Sequence, residues 1–313
     1  MRRVRAISVV AAVFLALSGS ACGGDASPEA GTARAPEGTG SAKSQGSGIP
    51  TKDVTAEDFD PGHFDGSTDI DNEWFPLRPG TQFVYRGHTV EDGERIPHRV
   101  IFTVTDLTKV VNGVRAVVIW DRDFTAGELE ETELAFFAQD DDGNIWHLGQ
   151  YPEEYEQGKL VGAPAWIAGL KGAKPGLSMK AVPRLGTPSY SQGYAPAPIS
   201  WVDHARVYKT GEQTCVPFGC YDDVLVTEEF EPTKPDAYQL KYYARGLGNV
   251  RIGWRGSKEE ERETLVLVKV VHLSQEALEE VRAEALALER RAYRVSRDVY
   301  GQTPPLERTG ETE

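Results

Sequence analysis

The sequence predicts a mainly β protein: a curved antiparallel sheet, half-barrel or sandwich, followed by a C-terminal α-helix. Three observations carry this. Apolar-rich runs recur at short spacing between turn dipeptides such as Asp92-Gly93, Asn112-Gly113 and Asp142-Gly143, which accept positive φ. The run Leu265–Val271 is almost continuously apolar, as expected of a strand covered on both faces. At Ser274 the apolar period changes from two residues to between three and four.

In chain order, Asp69 to Gly80 (DIDNEWFPLRPG) contains Pro76, Pro79 and Gly80 and reads as an extended, turn-rich lead-in. Strands are expected at Gln82–Arg86, His98–Asp106, Val114–Arg122, Leu129–Gln139 and Ile145–Leu148. A second set follows at Trp201–Thr210, Tyr221–Phe230, Tyr238–Ala244, Val250–Trp254 and Thr264–Val271. Between the sets, residues 151–200 are rich in Gly and Pro, which predicts a crossover covering the sheet or a functional loop. From Ser274, a suitable N-cap, Leu278, Val281, Ala285, Leu288, Ala292, Val295 and Val299 form one helical stripe. Such a stripe packs on its own domain or pairs with a second copy. The expected boundaries are a signal segment at 1–21, a tether at 22–55, a β domain at 56–273, a helix at 274–300 and a disordered tail at 301–313.

The N-terminus carries the clearest address. Arg2, Arg3 and Arg5 precede the apolar run Val9–Leu17, which is too short to cross a bilayer and suits a signal-peptide core. Small residues then lead to Cys22-Gly23-Gly24. This resembles the lipobox of bacterial lipoproteins, whose cysteine is lipidated, although Gly19 stands where that motif usually has Leu. The resemblance implies lipidation of Cys22 and attachment to the extracytoplasmic face of the cell membrane. Cleavage after Ala21 to give a freely secreted protein is the alternative. The Gly-, Ser-, Ala- and Pro-rich residues behind Cys22 cannot build a core. Some 30 such residues span about 30 Å as a coil.

Removing the signal leaves 31 basic side chains against 48 acidic ones, a formal charge of −17. That acidity disfavours nucleic acid and anionic lipid surfaces as partners. Beyond Cys22 the cysteines are Cys215 and Cys220, separated by Val-Pro-Phe-Gly between two strand candidates. In an exported chain they are expected to form a disulfide at the neck of a hairpin.

Catalytic signals do not stand out. The six histidines show no helical ligand spacing, and the sequence has no H-E-x-x-H, G-x-S-x-G, P-loop or dinucleotide fingerprint. Asp140-Asp-Asp-Gly-Asn144 imitates a calcium loop but has Tyr151 where the closing Glu would stand, and reads as a turn. The acidic lead-in at Asp58–Asp71 reads as a solvated linker, and Glu153, Glu154 and Glu156 as a solvated loop. No catalytic residue, cofactor or metal ligand is assigned. The aromatic residues Trp120, Phe137, Trp146, Trp166, Trp201 and Tyr242 are the candidates for lining an apolar or amphiphilic ligand; filling the core is the other use of such rings.

Four stretches resemble a family of uncharacterised secreted bacterial β proteins. They are Asn72–Gly80 (NEWFPLRPG) with Phe83-Val-Tyr85; Phe137–Asp140 with Gly143–Trp146; Gly172–Gly176; and Lys241–Gly248 (KYYARGLG). The resemblance spans roughly residues 69–271 and implies no established activity. The last stretch is also similar to the half-barrel sheets of lipoprotein-carrier proteins, an analogy of fold alone. Three functions remain: holding an apolar or amphiphilic ligand on the sheet, a surface module for a protein partner, and hydrolysis of wall polymers.

Overall fold

The computed structural model describes residues 54–310 apart from positions 92 and 261. The signal segment, Cys22 and most of the tether lie outside the described residues.

The described chain forms β1 (Thr81–Glu91), β2 (Glu94–Val111), β3 (Val114–Thr125), β4 (Glu128–Gln139), β5 (Ile145–Glu156), β6 (Lys159–Gly162), β7 (Trp166–Ile167) and β8 (Lys174–Met179). These are followed by β9 (Tyr190–Ser191), β10 (Gly193–Tyr194), β11 (His204–Val216), β12 (Gly219–Phe230), β13 (Tyr238–Ala244), β14 (Gly248–Arg255) and β15 (Thr264–His272). Helix α1 (Gln275–Val295) and the short β16 (Glu307–Arg308) complete the chain. Thirteen strands run in one antiparallel hydrogen-bonded path, β10-β8-β5-β4-β3-β2-β1-β15-β14-β13-β12-β11-β9, and the sheet curls into a nearly closed barrel. The expected mainly β fold with one C-terminal helix is therefore what forms among the described residues. Asn112-Gly113 and Asp142-Gly143 do serve as turns, with Asn112 at φ 48° and both glycines also at positive φ.

The Gly/Pro segment supplies the closure. Tyr190–Ser191 pairs with β11 at one sheet edge, and Gly193–Tyr194 pairs with β8 at the other. Five residues thus bridge the two edges. The bridge needs glycine: a Cβ at Gly176 would lie 2.0 Å from the Gly193 nitrogen.

Each face of the curled sheet has its own apolar layer. Inside lie Phe83, Tyr85, Val100, Phe102, Val104, Val117, Ile119, Phe137, Leu225, Tyr243, Ile252, Leu265 and Leu267. Outside, α1 lies over β2 and β4 with Val281, Ala285, Leu288 and Ala292 buried against Leu107, Val118, Leu134 and Phe136. The predicted stripe packs on its own domain, and Ser274 Oγ accepts from the Ala277 N–H as its N-cap. Lys109 of β2 is fully buried under the helix, 3.2 Å from Glu289 and 4.2 Å from the Tyr300 ring centroid.

Two polar segments read differently in the structure. The expected loop at 153–156 continues strand β5. Glu153 is buried, accepts hydrogen bonds from Tyr151 and Tyr155, and pairs with Arg291 of α1 at 2.9 Å. Adjacent carboxylates looked solvated in sequence, but α1 brings a guanidinium down on one of them. The expected disordered tail instead turns back. Tyr300 and Leu306 are buried beside α1, and Glu307–Arg308 pairs with Leu107 and Thr108. Tyr300 Oη and the Leu306 N–H also donate to Glu289 of α1.

Cys215 and Cys220 sit opposite one another in the β11–β12 hairpin and are disulfide-bonded.

Candidate functional site

The lead-in before β1 forms one lip of a cleft. Its shape is set by Asn72, whose side-chain oxygen accepts from the Trp74 and Phe75 N–H groups at 2.9 and 3.2 Å. Gln139 of β4 accepts from the backbone of Asp71 and Asn72. Arg245 pairs with Glu73 and stacks 4.1 Å over the Trp74 ring, tying the lip to the β13–β14 turn. These contacts leave Phe75 half-buried, edge-on to Phe137 and Tyr243.

Behind the lip lies a cleft enclosing about 540 Å³, its open mouth included. Its apolar walls are Phe75, Leu77, Phe83, Phe102, Phe137 and Leu247. Its polar side consists of Ser178, Gln192, Glu229, Lys241, Tyr243 and Asn249. Lys241 and Glu229 form an almost fully buried pair at 2.7 Å, and Gln192 donates to the other Glu229 oxygen at 2.9 Å. Tyr85 donates to the Asn249 carbonyl at 2.8 Å, and burial pushes its phenol far above the usual range. The site is thus amphiphilic: one side rings and aliphatic groups, the other a fixed polar constellation. Segments far apart in sequence, Asn72–Gly80, Phe83–Tyr85, Phe137–Asp140 and Lys241–Gly248, meet here.

Of the six aromatic candidates, Phe137 lines the cleft. Trp166 and Trp201 pack together one layer away, with ring centroids 5.7 Å apart. They connect to the cleft through His147, which stacks on Phe137 at 4.8 Å and meets the Trp166 edge at 4.8 Å. Burial holds His147 neutral, lowering its pKa to about 3. Trp120, Trp146 and Tyr242 lie on the opposite face of the sheet. Trp120 donates to Thr132 and carries the Arg122 guanidinium 3.9 Å over its ring. Trp146 packs with Phe59 and Phe64 and donates to Asp140. Tyr242 lies under Arg251 among Val224, Val226 and Leu240. Sequence alternation tells which residues share a face but not which face curls inward, so large rings alone could not separate the two groups.

A buried polar layer lies further along the interior. Cross-strand pairs Asp121–Glu133 and Asp123–Glu131 face inward from β3 and β4 and are at most 3% exposed. His98 stands between Asp123 and Glu263, with its Nδ1 3.0 Å from Glu263. Burial opposes the charge on His98, but the two carboxylates overcome it and lift its pKa to about 11. Burial drives the Asp121 carboxyl well above its ordinary range, and neighbouring Asp123 adds to this. Glu131 and Glu133 have further partners of their own. The sequence did contain a signal for this layer. Asp121 and Asp123 continue the alternation of Val117 and Ile119, and Glu133 and Glu131 that of Phe137 and Ala135.

Among the described residues, no three His, Cys, Asp or Glu side chains are arranged to hold a metal ion. No described helix is long and apolar enough to cross a membrane.

No family model matches the chain, and no curated protein matches it. Two solved structures align with it in part. One, from Bacteroides fragilis, is described as an exported protein with a YmcC-like fold; it is 16% identical, with 64% of this chain and 99% of that chain covered and a TM-score of 0.38. The other, from Parabacteroides distasonis, is described as a lipoprotein; it is 13% identical, with the same coverage and a TM-score of 0.37.

Proposed function

We propose that this chain is an exported binding protein, anchored to the membrane through a lipid on Cys22, that holds an amphiphilic small molecule in the cleft behind the Phe75 lip. The lining of the cleft carries the reading: rings on one side and the Lys241–Glu229–Gln192 constellation on the other. Binding rather than hydrolysis is favoured because Glu229, the carboxylate among the lining residues of the cleft, is engaged by Lys241 and Gln192. The basic n-region, apolar run and Cys22 motif support export and anchoring, and the acidic chain argues against nucleic acid.

The test is displacement of an environment-sensitive fluorescent amphiphile from the purified Cys22→Ala chain. Leu247 lines the cleft and is half-buried, so Leu247→Trp fills the space without opening the core. Probe affinity should fall at least about tenfold, the equivalent of 1.4 kcal/mol. Unchanged binding in a folded Leu247→Trp chain would rule out this cleft as the site.

A further inference from the structure

The interior is graded along its length, and the grading bears on the chemistry of the ligand. On β3 the inward residues run Val117, Ile119, Asp121, Asp123; on β4, in reverse chain direction, Phe137, Ala135, Glu133, Glu131. On β2 they run Val104, Phe102, Val100, His98. The far wall repeats the order: Leu267 and Leu265 before Glu263, Tyr243 before Lys241 and Gln239, Leu225 before Thr227 and Glu229. In these antiparallel strands, every polar residue falls at the same end. The cleft is lined by Phe75, Phe83 and Phe102 as well as by Glu229 and Lys241, so it joins apolar and polar parts of the interior. Phe102, which lines it, is the direct cross-strand neighbour of Asp121.

The polar end has acceptors to spare. Asp121 is 3% exposed; its Oδ1 accepts from the Arg122 N–H, while Oδ2 is buried without a hydrogen-bond partner. Asp123 Oδ2 and Gln239 Oε1 are likewise buried without a partner. Burial favours the neutral form of Asp121, and a donor bearing positive charge beside Oδ2 would favour the ionised one and pair with it.

Resting on the amphiphile-binding reading above, we propose that the ligand has a positively charged organic head group, such as an ammonium, which points toward Asp121 while its apolar tail lies between Phe75 and Phe137. The acids stand in register along neighbouring strands instead of converging as ligands, and no metal arrangement exists among the described residues. An organic cation is therefore the class that fits. The same field disfavours fatty acids and other amphiphiles with anionic heads.

Calorimetry with three amphiphiles of equal chain length, each below its micellar concentration, tests this on the Cys22→Ala chain: dodecyltrimethylammonium, dodecanoate and 1-dodecanol. The cation should bind at least about tenfold more tightly than dodecanoate at neutral pH and low salt. Asp121→Asn, where it folds, should narrow that gap. Equal affinities, or a preference for dodecanoate, would overturn the cationic head while leaving the cleft reading intact. Binding of none of the three would overturn both. The comparison on the unmutated interior decides the matter even if Asp121→Asn does not fold.

Discussion

Lys109 and Glu289 offer a sharp test of how the C-terminal segment is held on the sheet. The lysine is fully buried, 3.2 Å from Glu289, and donates to the Pro304 carbonyl at 2.6 Å. Burial outweighs the attraction of Glu289 and lowers the lysine pKa to about 8, so the lysine remains mostly charged at neutral pH. At 3.2 Å and an effective dielectric near 20, the attraction is about 5 kcal/mol, of the same order as the desolvation cost. The pair therefore adds little net stability, but either charge alone would be severe. Lys109→Met should cost about 3–5 kcal/mol, and so should Glu289→Gln. The double variant Lys109→Met/Glu289→Gln removes both charges, while the remaining Gln oxygen still accepts from Tyr300 Oη and the Leu306 N–H. Its loss should fall short of the summed single losses by at least about 2 kcal/mol. Urea unfolding of the four proteins measures the cycle. Additive single losses below about 1 kcal/mol would refute the buried-pair account of helix docking.

Two other predictions rest on single features. His147 is held neutral down to a pKa of about 3, whereas the unfolded chain protonates it near 6.5. The unfolded state thus binds more protons between these values, and the contribution of His147 to stability is lost as pH falls through that window. The stability difference between wild type and His147→Gln should shift in favour of the variant from pH 6.5 toward pH 3; a constant difference would count against a neutral buried imidazole. The Cys215–Cys220 bond closes a short hairpin loop, for which chain entropy gives about 2 kcal/mol. Non-reducing peptide mapping should recover the linked peptide, and two alkylatable thiols in freshly exported protein would contradict it.

Much of the fold was legible because local signals agreed. Tyr238–Ala244 was expected at its observed bounds, and most other expected strands lie inside the observed ones. The missing lengths are polar or interrupted. β2 runs from Glu94 to Val111 through a register shift between Val104 and Thr108, and β5 continues through Pro152 and Glu153. Short pairings such as Tyr190–Ser191 with Ala205 and His204 were not legible, because two residues are too few to show a period. The interior acids were hidden for a different reason. Asp121, Asp123, Glu131 and Glu133 follow apolar residues in strict alternation, yet charge ordinarily marks the solvent face. Phe137, a candidate ring in the sequence, lines the cleft, whereas the lip residues Phe75 and Leu77 were visible only as a turn-rich lead-in, because nothing local says which strand end they cover.

The central claim is that the interior holds a small molecule. The most direct measurement is native mass spectrometry of the protein purified from its own host, followed by the same measurement after denaturation. The account predicts a one-to-one adduct of an amphiphile of positive charge, released on unfolding and reduced in the Leu247→Trp variant. A chain with no adduct before unfolding would contradict it.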